Sequence, residues 1–121
     1  MSVRIAPQVG GYIAGADLTG KKYFFVKLDT SNQDKVILAG AGEAAIGILN
    51  TEGEADCHVA VSETGHEFLE LGGAVSIGDK IKSDANGNGV AAVATDNYYA
   101  VAIEAGVSGD QIEVKLEIGV A

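Results

Sequence analysis

Apolar and polar residues alternate with a period of two near the end of the chain. From Asp110 to Ile118 every second residue is apolar, and the residues between them are polar or charged. Successive side chains of a β-strand point to opposite faces of a sheet, so this alternation predicts a strand with one buried face. The predicted buried face holds Ile112, Val114, Leu116 and Ile118, and the other face holds Gln111, Glu113, Lys115 and Glu117.

Four earlier segments also have the pattern of strands. Residues 57–62 and 99–104 alternate between apolar residues and smaller or polar ones. Residues 22–28 and 35–39 are apolar on both faces, which indicates strands that are buried more completely.

Turn-forming residues separate these segments at intervals of 8–15 residues, the spacing of a small barrel or sandwich. A short helix is expected at most between Leu71 and Ile77. The pattern therefore predicts an all-β fold with a single-domain body that resembles a β-barrel or a β-sandwich. The predicted turns are residues 30–34, 50–53, 63–67, 72–73, 84–89 and 108–110.

The first twenty residues differ from the rest of the chain. They contain four glycines and follow no settled period. Glycine has a large conformational freedom that disfavours regular structure, so we expect residues 1–20 to form an extended N-terminal arm. The predicted β-rich domain is residues 21–121, and a chain of 121 residues is long enough for one domain with one core.

Composition excludes several classes of protein. Although 47% of the residues are apolar, no uninterrupted run approaches the roughly 18 residues of a membrane span, and no secretory signal is readable. We therefore expect synthesis in the cytoplasm and no membrane partner. Cys57 is the only cysteine, and together with His58 and His66 it falls short of a structural zinc site. No disulfide, metal or other cofactor is predicted.

The net charge is −9, from 8 lysines and arginines against 17 acidic residues. Binding to nucleic acid requires clustered cations, so a nucleic-acid partner is not expected. The charge is also unevenly placed, because residues 1–35 carry five basic and three acidic residues. An acidic body behind a mildly basic leading segment indicates that the two parts face different surroundings.

Two glycine-rich segments imitate nucleotide-binding motifs. Residues 15–21 fit the pattern G-x-x-x-x-G-K, but Lys22 follows where a Ser or Thr should contact magnesium, and a strand is predicted next. Residues 40–45 fit G-x-G-x-x-A after a strand, as in dinucleotide-binding folds. The segment after them, residues 44–55, is a poor helix because it contains two glycines and β-branched residues. A flexible turn explains the first segment, and the second is not followed by the further βαβ units that a dinucleotide-binding fold requires.

The remaining candidate chemistry is also weak. Residues 84–89 begin like a calcium-binding loop, but position twelve is Thr95 instead of the required glutamate, so a hairpin turn is the better explanation. Cys57 and His58 are adjacent on a predicted strand and point to opposite faces, which excludes a nucleophile and base pair. His58 is expected on the surface, and His66 in a solvated turn. We predict that the chain is not an enzyme.

Four segments between residues 36 and 118 resemble the head-decoration, or capsid cement, proteins of tailed bacteriophages. Each segment alone is common in β-hairpins, but their order and spacing together are more specific. The segments are Gly40 to Leu49 with its A-I-G-I strand, Gly72 to Asp84 with a G-A-V-x-x-G-D-x-I-x-S-D corner, Tyr99 to Ala105 with V-A-I-E-A, and Gly109 to Val114 with G-D-x-I-x-V.

The resemblance implies a compact all-β body of the β-tulip type, with no enzymatic activity and no cofactor. It further implies a structural protein of the virion that binds the exterior of the expanded capsid and stabilises it, with the major capsid protein as partner. Members of the family commonly assemble as homotrimers at capsid symmetry axes and often use an N-terminal arm. No counterpart of the family is recognised in residues 1–35.

The arm supplies the candidate capsid-binding residues. It could add to an exposed sheet edge of the major capsid protein as an extra strand, with main-chain hydrogen bonds for affinity and apolar side chains for register. The residues predicted to make this contact are Val3, Arg4, Ile5, Pro7 and Val9.

Bulky side chains supply the candidate oligomer interface. Aromatic residues are enriched in interface cores, and Phe68, Tyr98 and Tyr99 are therefore predicted to contact other copies. The alternative is that Phe68 and one of the two tyrosines fill the core of the chain itself.

Two other functions stay open at the level of the sequence. The first is a small all-β module that binds carbohydrate or peptide, although carbohydrate sites usually present aromatic platforms and this chain has no tryptophan. The second, less favoured, is a fragment of a nucleotide-binding enzyme. Such a fragment would need substantial helix, whereas a decoration protein would need almost none.

Overall fold

The computed structural model describes residues 8–121, and these form nine β-strands. This confirms the predicted all-β class. The strands are β1 (Gln8–Ala14), β2 (Phe25–Leu28), β3 (Lys35–Leu38), β4 (Gly47–Leu49), β5 (His58–Glu70), β6 (Lys80–Ser83), β7 (Gly89–Ala91), β8 (Asn97–Ala102) and β9 (Gln111–Val120).

The first five strands close into a barrel. Their order is β1-β3-β2-β4-β5, and β5 pairs in turn with β1, so the ring of strands is complete. All neighbours are antiparallel except β1 and β3, which run parallel with Ile13 opposite Lys35. Closure removes the exposed sheet edges that would otherwise invite aggregation.

Strand β5 extends beyond the barrel into a second group of strands, which we call the outer sheet. With 13 residues, β5 is the longest strand, and its second half begins the order β5-β9-β8-β6-β7. Every pair in the outer sheet is antiparallel. A bridge between Leu71 and Gly89 brings the end of β5 next to the start of β7, so the outer sheet curves back on itself.

The change of partner along β5 occurs near Gly65. Strand β1 pairs with β5 as far as Thr64, and β9 pairs with β5 from Gly65 onward. Gly65 has a φ of 85°, a conformation that is costly for residues with a side chain. The glycine therefore lets one continuous strand serve the barrel and the outer sheet.

Two apolar clusters form the core. The barrel cluster is made of small and branched aliphatic side chains: Ala14, Leu18, Val26, Val36, Leu49, Val59 and Val61. The second cluster is larger, contains two aromatic rings and joins the barrel to the outer sheet: Phe25, Ala39, Ala45, Ile48, Leu69, Leu71, Val75, Ile81, Tyr99, Ala100, Ala102, Ile112 and Val114. Both clusters include residues of β5, so burial of apolar surface couples the two regions.

The structure differs from the sequence predictions at three places in the body. The expected turn at residues 63–67 is part of β5, because Gly65 bends the strand without ending it. The expected helix between Leu71 and Ile77 is absent, and this segment contains isolated bridges and turns. The strand expected at residues 22–28 begins only at Phe25, since Tyr23 has a φ of 73° and breaks the extended backbone.

The predicted arm of residues 1–20 also differs from what the structure shows. Residues 8–14 form β1, which completes the barrel, and Leu18 is buried in the barrel cluster. Close packing explains one glycine of this segment, because Gly15, just after β1, lies against Ile37 and Asp29 with no room for a larger side chain. Residues 1–7 lie outside the described residues.

Candidate functional site

The residues predicted to bind the capsid lie at the start of the chain. Val3, Arg4, Ile5 and Pro7 are outside the described residues. The backbone of Val9 belongs to β1, where it pairs with Ser62 of β5.

The residues predicted for an oligomer interface are less exposed than that role suggests. Tyr98 and Tyr99 are 9% and 8% exposed, and Tyr99 belongs to the larger core cluster. Phe68 is half-buried, with its ring 5.7 Å from that of Tyr23. The assumption that these two tyrosines expose their side chains was therefore wrong, because both pack within the body of the chain.

The hydroxyl of Tyr98 takes part in a surface network. It donates a hydrogen bond of 3.2 Å to Glu117, and the ammonium of Lys80 lies 5.2 Å from the centre of its ring. Burial raises the pKa of the Tyr98 hydroxyl above its usual value, and the contact with Glu117 raises it further. The hydroxyl therefore stays protonated at neutral pH and acts as a donor.

One turn geometry occurs three times in the outer sheet, at residues 76–79, 93–96 and 107–110. Each turn ends in an aspartate whose carboxylate accepts the N–H of the first residue at 2.9–3.0 Å, while its own N–H donates to the carbonyl of that residue. The third residue has a positive φ: 86° at Gly78, 75° at Thr95 and 91° at Gly109. The two bonds fix these turns firmly at the starts of β6, β8 and β9.

Large apolar side chains are exposed mainly in the outer sheet and its turns. Among the barrel side chains that the structure describes, the exposed large apolar one is Leu28, at 48%. Six are exposed in and around the outer sheet, three of them on the repeated turns: Ile77, Val93, Ile103, Val107, Ile118 and Val120, at 72%, 65%, 38%, 59%, 74% and 67%. Exposed apolar side chains on a rigid framework are typical of a protein contact surface.

A buried carboxylate lies where β5 passes from the barrel to the outer sheet. Glu67 is 1% exposed, and its Oε2 accepts hydrogen bonds of 2.6 Å from both Ser62 and Asn50. Glu67 was expected at the end of a turn at residues 63–67, whereas it lies within β5. Glu67 shares a strand face with the buried Leu69, and its burial depends on Ser62 and Asn50, which satisfy its carboxylate.

A groove of about 200 Å³ runs between the barrel and the outer sheet. Its apolar wall comes from β4 and the loop before it, and from β8 and β9. Two carboxylates, Glu63 and Glu117, stand in the same lining. The hydroxyl of Tyr12 donates to Glu63 at 2.5 Å, which raises the pKa of that tyrosine. The apolar residues are Ala45, Ile46, Gly47, Tyr99, Leu116 and Ile118.

The residues tested for catalysis do not assemble into a site. Cys57 and His58 are exposed, whereas His66 lies 3.0 Å from Glu113 across the β5–β9 pair. The calcium-like segment is a hairpin turn in which Asp84 accepts the N–H groups of Asn86 and Asn88. Within residues 8–121, no group of three or more potential ligands could hold a metal ion.

The glycine motifs do not form nucleotide sites either. Neither residues 15–21 nor residues 40–45 lead into a helix, so the N-terminal dipole that would bind phosphate is absent there. In the part of the chain that the structure describes, no helix is long and apolar enough to cross a membrane.

A family described as "Phage cement protein" matches residues 24–118, which include β2 to β8 and β9 as far as Ile118, and the match extends the resemblance into residues 24–35. The chain belongs to this family. The resemblance inferred from the sequence is thereby confirmed. Membership makes the chain a capsid-associated structural protein of a phage virion and not an enzyme.

The fold is also similar to that of a solved structure, described as the head fiber gp8.5 N base in bacteriophage phi29. The TM-score is 0.76, and the match covers 93% of this chain and 95% of the other. Sequence identity is only 10%, so this similarity concerns the fold. No curated protein matches the sequence.

Proposed function

We propose that this chain binds the outer surface of the expanded capsid, contacts the major capsid protein, and stabilises the shell as a homotrimer. The match to the cement family over residues 24–118 carries the proposal. The net charge of −9 supports an exterior position, because an acidic surface is repelled by the packaged nucleic acid.

The proposal includes a role for the start of the chain. Residues Val3, Arg4, Ile5, Pro7 and Val9 would pair with a strand of the major capsid protein. The supporting observation is that β1 starts at Gln8, so the residues before it are covalently attached to a fixed point on the barrel. Phe68 is the favoured contact between copies, since it is more exposed than Tyr98 or Tyr99.

Co-sedimentation with capsid shells tests the proposal. Purified protein is mixed with expanded shells and, as a control, with unexpanded shells. We expect saturable binding to expanded shells alone, and decorated shells should withstand a higher temperature before they break. A folded protein that binds neither form of shell would contradict the proposal.

A second experiment tests the arm. A variant that lacks residues 1–7 keeps β1 and therefore the closed barrel. We expect it to melt at nearly the native temperature and to lose shell binding. Wild-type occupancy by this variant would contradict the role of the arm.

A further inference from the structure

The end of β9 is an open strand edge. As far as Leu116, β9 lies between β5 and β8, but from Glu117 to Val120 its pairing within residues 8–121 is with β8 alone. The strand thus continues after β5 has bent away at Gly65. Such an edge offers backbone donors and acceptors to any strand that approaches it.

Apolar side chains project from this edge. Ile118 is 74% exposed and Val120 is 67% exposed, although they continue the face on which Ile112 and Val114 are buried. Ile118 also lines the groove between the barrel and the outer sheet. An incoming strand could therefore form main-chain hydrogen bonds and bury apolar side chains at the same place.

The charges beside the edge indicate the chemistry of the incoming strand. Glu63 and Glu117 lie in the groove lining. Lys115, the lysine of β9, forms an ion pair of 3.6 Å with Glu117, which leaves one negative charge in excess among these three side chains. Other copies of this chain carry the same net charge of −9, which disfavours self-association at an acidic edge. Basic side chains on the incoming strand would complement both carboxylates.

We infer that the edge of β9 at residues 117–120, with the adjoining groove, binds an extended segment of the capsid protein in which apolar and basic residues alternate. This inference rests on the proposed function and adds a second contact to it, on the side of the cement protein. The capsid segment would be the added strand, and β9 would be the template.

Shell binding by charge variants at one position tests the inference. Ile118→Lys should weaken binding to expanded shells by about tenfold or more, because it removes an apolar contact and repels basic side chains. Ile118→Glu should weaken binding less, since its carboxylate attracts the same side chains. The matched control is Leu28→Lys, because Leu28 is a large apolar residue that is 48% exposed on the barrel, away from the surface assigned to contact.

Each result decides a different point. Equal binding by Ile118→Lys and Leu28→Lys would overturn the inference and leave the proposed function intact. If Ile118→Glu binds no better than Ile118→Lys, the incoming strand is not basic, and the inference is wrong in its chemistry. If the native chain binds no shells, the proposed function and the inference both fail.

A photo-reactive amino acid at position 118 identifies the occupant directly. After illumination of decorated shells, we expect a cross-link to the capsid protein, at a segment with alternating apolar and basic residues. A cross-link to a second copy of this chain, or to its own first seven residues, would overturn the inference.

Discussion

The barrel and the outer sheet share β5 but differ in how much apolar surface they expose. The barrel closes on itself, and among its described side chains Leu28 is the large apolar one that it leaves exposed. The outer sheet ends in an open edge and exposes six such side chains, three of them on turns that aspartates hold rigid. The barrel is thus built for stability, whereas the outer sheet combines stability with a surface for contact.

Core truncations should have the largest effect and test how far the two regions are separate. Leu49→Ala in the barrel and Leu69→Ala in the larger cluster each remove a fully buried side chain, so each should cost about 2–5 kcal/mol of unfolding free energy. Because β5 contributes to both clusters, each variant should unfold in a single transition, measured by circular dichroism and by calorimetry.

A variant in which one region melts well before the other would contradict this coupling. The two regions would then be separate domains that share a strand.

The junction between the regions should be sensitive to Glu67. Glu67→Ala leaves Ser62 and Asn50 without their buried acceptor, which should cost about 3 kcal/mol in chemical denaturation. The control is Glu70→Ala on the same strand, where a half-buried carboxylate is removed and a change below about 0.5 kcal/mol is expected. Similar losses of unfolding free energy in both variants would show that the buried hydrogen bonds of Glu67 contribute no more to stability than the half-buried Glu70 does.

Acid should weaken both regions through their surface carboxylates. Contact with Lys82, aided by the N–H of Val93, lowers the pKa of Asp96 in the outer sheet below its usual 3.8. Contact with Lys27 likewise lowers the pKa of Glu43 beside the barrel. A carboxylate whose pKa is lowered in the folded chain stabilises the fold at pH values above its usual pKa. This stabilisation is lost as the pH falls through the lowered pKa.

Urea denaturation between pH 6 and pH 3 measures this loss. Asp96→Asn should be less stable than the native chain at pH 6, and the difference should narrow as the pH falls below 3.8. Glu43→Gln, which removes the corresponding carboxylate beside the barrel, should show the same dependence of stability on pH. A difference that stays constant with pH would rule out the ionised carboxylate as its source.

The sequence predicted the class of fold because local alternation is enough to identify strands. The strand of residues 111–118 was confirmed, and so was the hairpin at Asp84 to Gly89. Features that depend on distant partners were not predicted. Nothing local shows that residues 8–14 close a barrel against β5, or that Gly65 bends a strand without ending it.

The candidate site was predicted less well than the fold for the same reason. Alternation placed Ile118 on the buried face of β9, but its exposure depends on where β5 leaves the sheet. Burial of Glu67 similarly depends on Asn50, which is distant in sequence. The repeated turns had a visible signal, a Gly-Asp pair before β6 and before β9, which entered the prediction mainly as part of the resemblance to the cement family.

Electron cryo-microscopy of the virion is the most direct test of the central claim, that this protein decorates the capsid exterior. We expect density for the two-part β body on the outer surface of the expanded shell, with the end of β9 facing the capsid protein. Density inside the shell, or its absence from virions that contain the protein, would contradict the account.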